Sequence, residues 1–274
     1  MAMGDFGPLV SPDWLREHLD DPDLRVIDFR WYLDGRRGLD GYAQGHIPGA
    51  VFVDLEAVTG AEGPGRHPLP SGSQFAIEMR KAGVTERTRV VVYDDVGGAV
   101  AARLWFLLRW FGHGSQAVLD GGIRAWGSPQ SSKMVAVTPG SFTSTEPDRH
   151  KIATFDELQG RAGVLIDTRL AERYRGETEP IDPKAGHVPG ARNAPWTGNL
   201  GPNGRFKTRD ELRKRFVEIG VVRGEDAVVY CGSGVNACHN LLALELAGLG
   251  EARLYEGSWS DWSRRDLPVA TADE

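Results

Sequence analysis

Gly45-His46-Ile47-Pro48-Gly49-Ala50 returns as Gly186-His187-Val188-Pro189-Gly190-Ala191, and this pair of hexapeptides decides how the chain is read. Flanking markers return in the same order. Upstream, Val26-Ile27-Asp28 matches Leu165-Ile166-Asp167. Downstream, Val92-Tyr93-Asp94 matches Val229-Tyr230-Cys231, and Leu119-Asp120-Gly121-Gly122 with Trp126 matches Tyr255-Glu256-Gly257-Ser258 with Trp262. The offset drifts only from about 141 to about 136 residues, so one domain is used twice.

Each copy alternates short apolar strands with amphipathic helices. In the first, Ser11-Pro12 reads as a helix N-cap with proline in the first turn. Strands are predicted at 25–28, 90–93 and 116–119, with a helix over 98–111. In the second, Thr154 with Glu157 and Thr208 with Glu211 are capping-box patterns, and 164–167, 228–230 and 253–255 are apolar strands. Continuous apolar strands alternating with helices predict an α/β fold: two tandem domains, each a mostly parallel sheet flanked by helices. The copies are expected over 1–128 and 150–274, joined by a Ser-, Thr-, Pro- and Gly-rich linker at about 127–149.

Composition narrows the class of function. Hydrophobic residues make up 41% and charged residues 26% of the 274, an ordinary globular balance. A formal net charge of -6 with no basic block disfavours nucleic acid or an anionic membrane as partner. The start, MAMGDFG, lacks a secretory pattern, and the apolar segment 99–111 is interrupted by Arg103 and Arg109 and too short to span a bilayer. With two cysteines, Cys231 and Cys238, no disulfide framework or zinc pattern arises. A soluble protein of the reducing cytoplasm is the expectation.

The chemistry concentrates in Ala227-Val-Val-Tyr-Cys231-Gly-Ser-Gly-Val-Asn236-Ala237, which runs on into an apolar helix. A buried strand ends at a cysteine, glycines 232 and 234 make a tight turn, and a helix follows. Cys231 thus sits at the C-terminal end of a parallel strand, where open α/β sheets place ligands. Backbone N–H groups of the turn and the helix N-terminus favour an anion there. Such a setting favours a thiolate, the form that attacks electrophilic sulfur. The first copy carries Asp94 at this position, so the fold itself does not require cysteine.

The paired His-Pro-Gly-Ala segments, the Cys-Gly-Ser-Gly-Val-x-Ala loop and Gly-Ser-Trp-Ser-x-Trp resemble tandem-domain rhodaneses, especially the 3-mercaptopyruvate sulfurtransferases. The resemblance implies a catalytic C-terminal domain, a non-catalytic N-terminal one, an active site near their interface and sulfur carried as a persulfide on Cys231. It implies no metal and no organic cofactor. It puts Glu56, His67 and Ser233 in the roles of carboxylate, imidazole and hydroxyl of a proton relay. Arg173 takes the position of a carboxylate-binding arginine, and Gly232, Gly234, Val235 and Asn236 frame the substrate.

Two departures bear on the substrate. The second arginine of the family would fall near Pro180-Ile181-Asp182, where there is none, leaving Lys184 as a substitute. Asn236 stands where threonine is usual, with a side chain suited to capping the next helix. Arg169 reads as a structural ion pair, His46 and His187 as fold residues because both copies have them, Cys238 as packing and His239 as surface. Trp262, repeated by Trp126, reads as core, and Trp259 as a pocket wall.

The sulfur donor stays open between 3-mercaptopyruvate and thiosulfate, the neutral loop favouring the former. Acceptors in view are cyanide, a small thiol, or a thiol protein such as thioredoxin. A persulfide carrier or sulfur sensor would need Cys231 but not the relay. A cysteine phosphatase would need an arginine closing a longer loop, and Val235-Asn236-Ala237 offers none.

Overall fold

Arg89-Val-Val-Val-Tyr93 buries every residue but its first, and its β-branched run suits a strand covered on both faces. The computed structural model describes residues 6–160 and 163–272. By contact, the chain forms two units. The first holds the described residues up to Thr59, Pro70–Asp148 and Pro202–Arg205; the second holds Gly60–Leu69, Arg149–Gly201 and the described residues from Phe206 onward.

In the first unit the strands are β1 (Leu9–Val10), β2 (Leu24–Asp28), β3 (Val51–Phe52), β4 (Arg89–Tyr93) and β5 (Gln116–Leu119), in the order β1-β5-β4-β2-β3. Every pairing is parallel. Its α-helices are α1 (Pro12–His18), α2 (Gly38–Gln44), α3 (Gly72–Lys81), α4 (Ala101–Trp110) and α5 (Gly122–Trp126). Ser11 caps α1 by accepting the Trp14 N–H, as the sequence predicts. The predicted helix over 98–111 is the almost wholly buried α4.

The second unit repeats the plan with β6 (Val164–Asp167), β7 (Arg192–Asn193), β8 (Ala227–Tyr230) and β9 (Arg253–Leu254), again all parallel, in the order β7-β6-β8-β9. Its α-helices are α6 (Phe155–Gln159), α7 (Ala171–Tyr174), α8 (Arg209–Glu218), α9 (Ala237–Leu246) and α10 (Ser258–Trp262). Both capping boxes form, at Thr154 with Glu157 and at Thr208 with Glu211.

The repeated hexapeptide has a repeated physical cause. Arg30 meets Asp28 through two nitrogens and donates to the Gly45 carbonyl at 2.8 Å; Arg169 does the same with Asp167 and the Gly186 carbonyl at 2.6 Å. The Ile47 and Val188 N–H groups donate to the hydroxyls of Tyr93 and Tyr230. His46 stacks on Tyr42 and His187 on Tyr174, with centroids 3.9 and 3.6 Å apart. Each imidazole bonds the carbonyl of its stacking partner through Nδ1, and both are fully buried. This is the fold role expected of the two histidines, and Arg169 is the expected internal ion pair.

Asp94, at the position of Cys231 in the first copy, is also fully buried. Its carboxylate accepts N–H bonds from Val96, Gly98, Val100 and Ala101 at 2.8 to 2.9 Å. Burial pushes its carboxyl up from the ordinary value, while the four N–H groups act the other way. Asp94→Ala leaves four N–H donors, three of them buried, without their acceptor. It is expected to lower unfolding free energy by at least about 3 kcal/mol, read as a fall in chemical-denaturation midpoint.

Candidate active site

β8 delivers Cys231 to the end of the sheet, and Tyr230, its neighbour, pairs in register with Asp167 of β6. Beyond Cys231 the chain turns through Gly232-Ser233-Gly234-Val235 before α9 begins. Gly234 adopts φ +81°, and a Cβ there would lie 2.7 Å from the Glu256 carbonyl oxygen, so both backbone and space require glycine. The turn brings the Gly234 N–H to the Cys231 sulfur, 3.1 Å away. Val235 is buried, and Cys231 itself is 4% exposed. Gly232 has a different justification. A Cβ at 232 would meet Arg66 Nη2 at 3.1 Å and Arg173 Nη1 at 3.6 Å, so the missing side chain makes room for two guanidinium groups.

Two other segments are fastened to this loop. The β9–α10 corner donates the Trp259 and Ser260 N–H groups to the carbonyls of Cys231 and Gly232, both at 2.9 Å. Ser258 accepts the Cys231 N–H and donates to the Tyr255 carbonyl, from a left-handed φ of +52°. That is an unusual conformation for serine, and Gly122 takes it in the first copy at φ +59°. The second segment is the strap Gly60–Leu69, which belongs to the second unit although first-unit sequence flanks it on both sides. Its Arg66 N–H donates to Ser260 Oγ, its Leu69 N–H to Glu256, and its Gly60 N–H to the Pro68 carbonyl.

The strap carries His67, whose Nδ1 lies 2.7 Å from Ser233 Oγ. Both groups are buried, so a hydrogen-bonded imidazole and hydroxyl stand together at the cysteine loop. Glu56 lies in the first unit. It opens a short 3-10 turn, Glu56–Val58, and its carboxylate accepts the indole N–H of Trp31 at 3.1 Å.

Arg173, at the end of α7, contacts Glu179 at 2.6 Å and Asp182 at 3.4 Å through Nη2. Arg66 binds the other oxygen of Asp182. Burial and the nearby Glu179 push the Asp182 carboxyl up from its ordinary value, while Arg66 and Arg173 pull it down. Glu179 in turn contacts Arg169, whose guanidinium stacks over Trp259 with its carbon 4.6 Å from the ring.

Several sequence expectations need correction. Lys184 does not stand in for an arginine: its ammonium donates to the carbonyls of Arg265 and Leu267. Asn236 is the N-cap residue of α9, but its backbone is already helical and its side chain makes no capping bond. His239 is fully buried, stacked on Phe206 and bonded to Asn199, because α9 is covered on nearly all sides. Trp259 is 0% exposed and donates to the Lys184 carbonyl, so it braces the loop from within. The loop's own side chains are neutral, as expected, yet two guanidiniums lie over it, so loop charge alone does not select the donor. Arg66 and Ser258 escaped the sequence reading. Their signals were a basic residue beside His67 and a serine where the first copy has glycine.

A family model described as a rhodanese-like domain matches residues 11–129 and again 152–265. The chain is 44% identical to a probable 3-mercaptopyruvate sulfurtransferase of Pseudomonas aeruginosa, covering 97% of this chain and 98% of that one. It is 40% identical to a putative thiosulfate sulfurtransferase of Mycobacterium tuberculosis, over 89% of this chain and 88% of the other. The crystal structure of SseA from Escherichia coli, reported for the rhodanese fold of 3-mercaptopyruvate sulfotransferases, superposes with a TM-score of 0.83 at 35% identity, covering 92% of this chain and 99% of that one. Gly234→Ala is expected to destabilise the protein by about 1–3 kcal/mol, seen as a lower melting temperature, through left-handed strain and collision with Glu256. Tandem rhodanese-like domains and a strand–cysteine–glycine loop at the end of a parallel sheet agree with these relationships, and the chain belongs to the rhodanese family.

Proposed function

We propose that this protein is a sulfurtransferase that takes sulfur from 3-mercaptopyruvate onto Cys231 as a persulfide and passes it to a thiophilic acceptor. The observation that carries the reading is Cys231 at the end of β8 with His67 and Ser233 bonded to each other beside it. The Cys231 thiolate attacks the donor's sulfur. As the new S–S bond forms, the C–S bond breaks and its electron pair passes to carbon as the enolate of pyruvate. The proton of the donor's thiol moves to that carbon through Ser233 and His67, so one proton changes place and no external oxidant is needed. Arg173 holds the donor's carboxylate, for which a planar fork is suited. Gly232, Gly234, Val235 and Asn236 line the bound donor. The persulfide then gives its outer sulfur to cyanide, a small thiol or a thiol protein such as thioredoxin, in the cytoplasm.

Glu56 is proposed as the carboxylate that orients His67, and the first copy, with Asp94 in the cysteine position, as non-catalytic. No helix among the described residues is long and apolar enough to cross a membrane. A second donor, thiosulfate, is favoured by the two guanidiniums over Gly232, which suit a dianion equally well.

Pyruvate release from 3-mercaptopyruvate and thiocyanate formation from thiosulfate and cyanide, measured side by side, test the assignment. Cys231→Ser is expected to abolish both. His67→Ala and Ser233→Ala are expected to lower kcat for 3-mercaptopyruvate by roughly 10²-fold or more, the scale of lost proton transfer. Glu56→Gln is expected to give a smaller loss in the same direction. Wild-type turnover in His67→Ala would favour the persulfide-carrier reading, and a preference for thiosulfate would transfer the assignment to that donor.

A further inference from the structure

We infer that the hydroxyl of Thr168 binds the outer sulfur of a persulfide on Cys231 and so stabilises the sulfur-loaded form of the protein; this rests on Cys231 being the sulfur acceptor. Thr168 follows the last residue of β6, and Cys231 follows the last residue of β8. Asp167 and Tyr230 pair in register, and their side chains meet. The Thr168 N–H donates to the Tyr230 carbonyl at 2.9 Å, so the ladder runs on by one residue and sets Thr168 beside Cys231. Side chains alternate along a pleat, so these two share the face opposite to that of Asp167 and Tyr230. Thr168 is fully buried, and its hydroxyl has no hydrogen-bond partner among the described residues. A buried polar group in that state is uncommon and points to a ligand.

The main chain around Thr168 is fully engaged. Its carbonyl accepts the Trp196 N–H at 3.0 Å, and the Asn193 side chain donates to the carbonyls of Asp167 and Arg169 on either side. The residue is thus held in place by its backbone while its hydroxyl stays unspent. The first copy shows that the fold needs no hydroxyl here. There Phe29 stands between Asp28 and Arg30, fully buried, with its N–H on the Tyr93 carbonyl at 2.9 Å. Asp94, beside it, already has four N–H donors. Phenylalanine accompanies the satisfied carboxylate, and threonine accompanies the sulfur. Neighbouring strands lie about 4.8 Å apart, and a second sulfur lengthens the Cys231 side chain by about 2 Å. The thiol sulfur is not bonded to Thr168, and the added length brings the outer sulfur within reach of the hydroxyl. The Gly234 N–H, 3.1 Å from the inner sulfur, is left where it is. An anionic persulfide gains from a fixed donor in a site removed from water. The ligand chemistry is a terminal sulfane sulfur, whichever donor supplied it.

The test compares Thr168→Val and Thr168→Ser with the wild type, each loaded with sulfur from 3-mercaptopyruvate or thiosulfate and then freed of donor. The loaded protein is titrated with sulfite in a thiosulfate buffer. The outer sulfur passes to sulfite, giving thiosulfate and leaving the Cys231 thiolate, so the sulfite-to-thiosulfate ratio at half-unloading weighs persulfide against thiolate. Thr168→Val keeps the shape and removes the hydroxyl. It is expected to unload at a ratio roughly 10-fold lower than the wild type, the scale of one hydrogen bond to a charged group. Thr168→Ser, which keeps the hydroxyl, is expected to stay within about 3-fold of the wild type. Alkylation of unloaded Cys231 by iodoacetamide is expected to hold its rate within about 3-fold in both variants, because the hydroxyl touches only the outer sulfur. A wild-type unloading ratio in Thr168→Val overturns the inference. Equal shifts in Thr168→Val and Thr168→Ser overturn it too, because they mark Thr168 as packing. An alkylation rate changed as much as the ratio does the same, since the thiolate is then what moved. If Thr168→Val does not fold, Thr168→Ala takes its place with the same outcomes. Sulfane sulfur held by Cys231→Ser would instead remove the reading on which the inference rests.

Discussion

The pairing of Asp167 with Arg169, and its copy Asp28 with Arg30, is the constraint on which the rest of each unit depends. Taking both charges out of water is costly, and the cost is offset only because the guanidinium meets the carboxylate with two nitrogens and spends a further N–H on a glycine carbonyl. That last bond draws the His-Pro-Gly-Ala turn onto the strand ends. The tyrosine of the neighbouring strand receives an N–H from the same turn. Remove either charge and the other is left buried without compensation, a loss of roughly 3–5 kcal/mol in such settings. Because Asp167 pairs in register with Tyr230, the same clamp fixes the strand end from which Cys231 emerges.

Electrostatic order spreads outward from that clamp. Arg169 touches Glu179, Glu179 touches Arg173, Arg173 touches Asp182, and Asp182 touches Arg66. Positive and negative groups alternate from the sheet to the cysteine loop, so no charge in the series is buried alone. The positions of the outer arginines are thus inherited from a core ion pair rather than set by flexible surface side chains. Trp259, stacked by Arg169 and bonded by its N–H to the Cys231 carbonyl, ties the hydrophobic side of the site to the same series.

Local patterns made the fold legible in the sequence. The duplicated hexapeptide, both capping boxes and the apolar strands each state their conformation within a few residues, and the described elements follow them closely. The place of Cys231 was legible because a strand, a glycine turn and a helix follow in unbroken order, whereas Ser233 was singled out by the family resemblance alone. Arg66 was not, because its partner Asp182 lies 116 residues away and only folding brings them together. Lys184 was misplaced for the same reason, since its acceptors are carbonyls about 80 residues further on. His239 misled because a polar residue on a helix suggests solvent, whereas α9 has almost no solvent-facing side and the 3-10 turn Trp196–Asn199 supplies Asn199 as its partner instead.

Asp94 gives the duplication a thermodynamic meaning. A free anion seated among the same four N–H groups would stabilise the unit only in proportion to its concentration over its dissociation constant. A carboxylate tethered by its own backbone is present at a very high effective concentration, so that cradle is filled without help from any solute. The first copy has in effect swallowed its ligand: what would be a variable of the medium has become a fixed property of the chain.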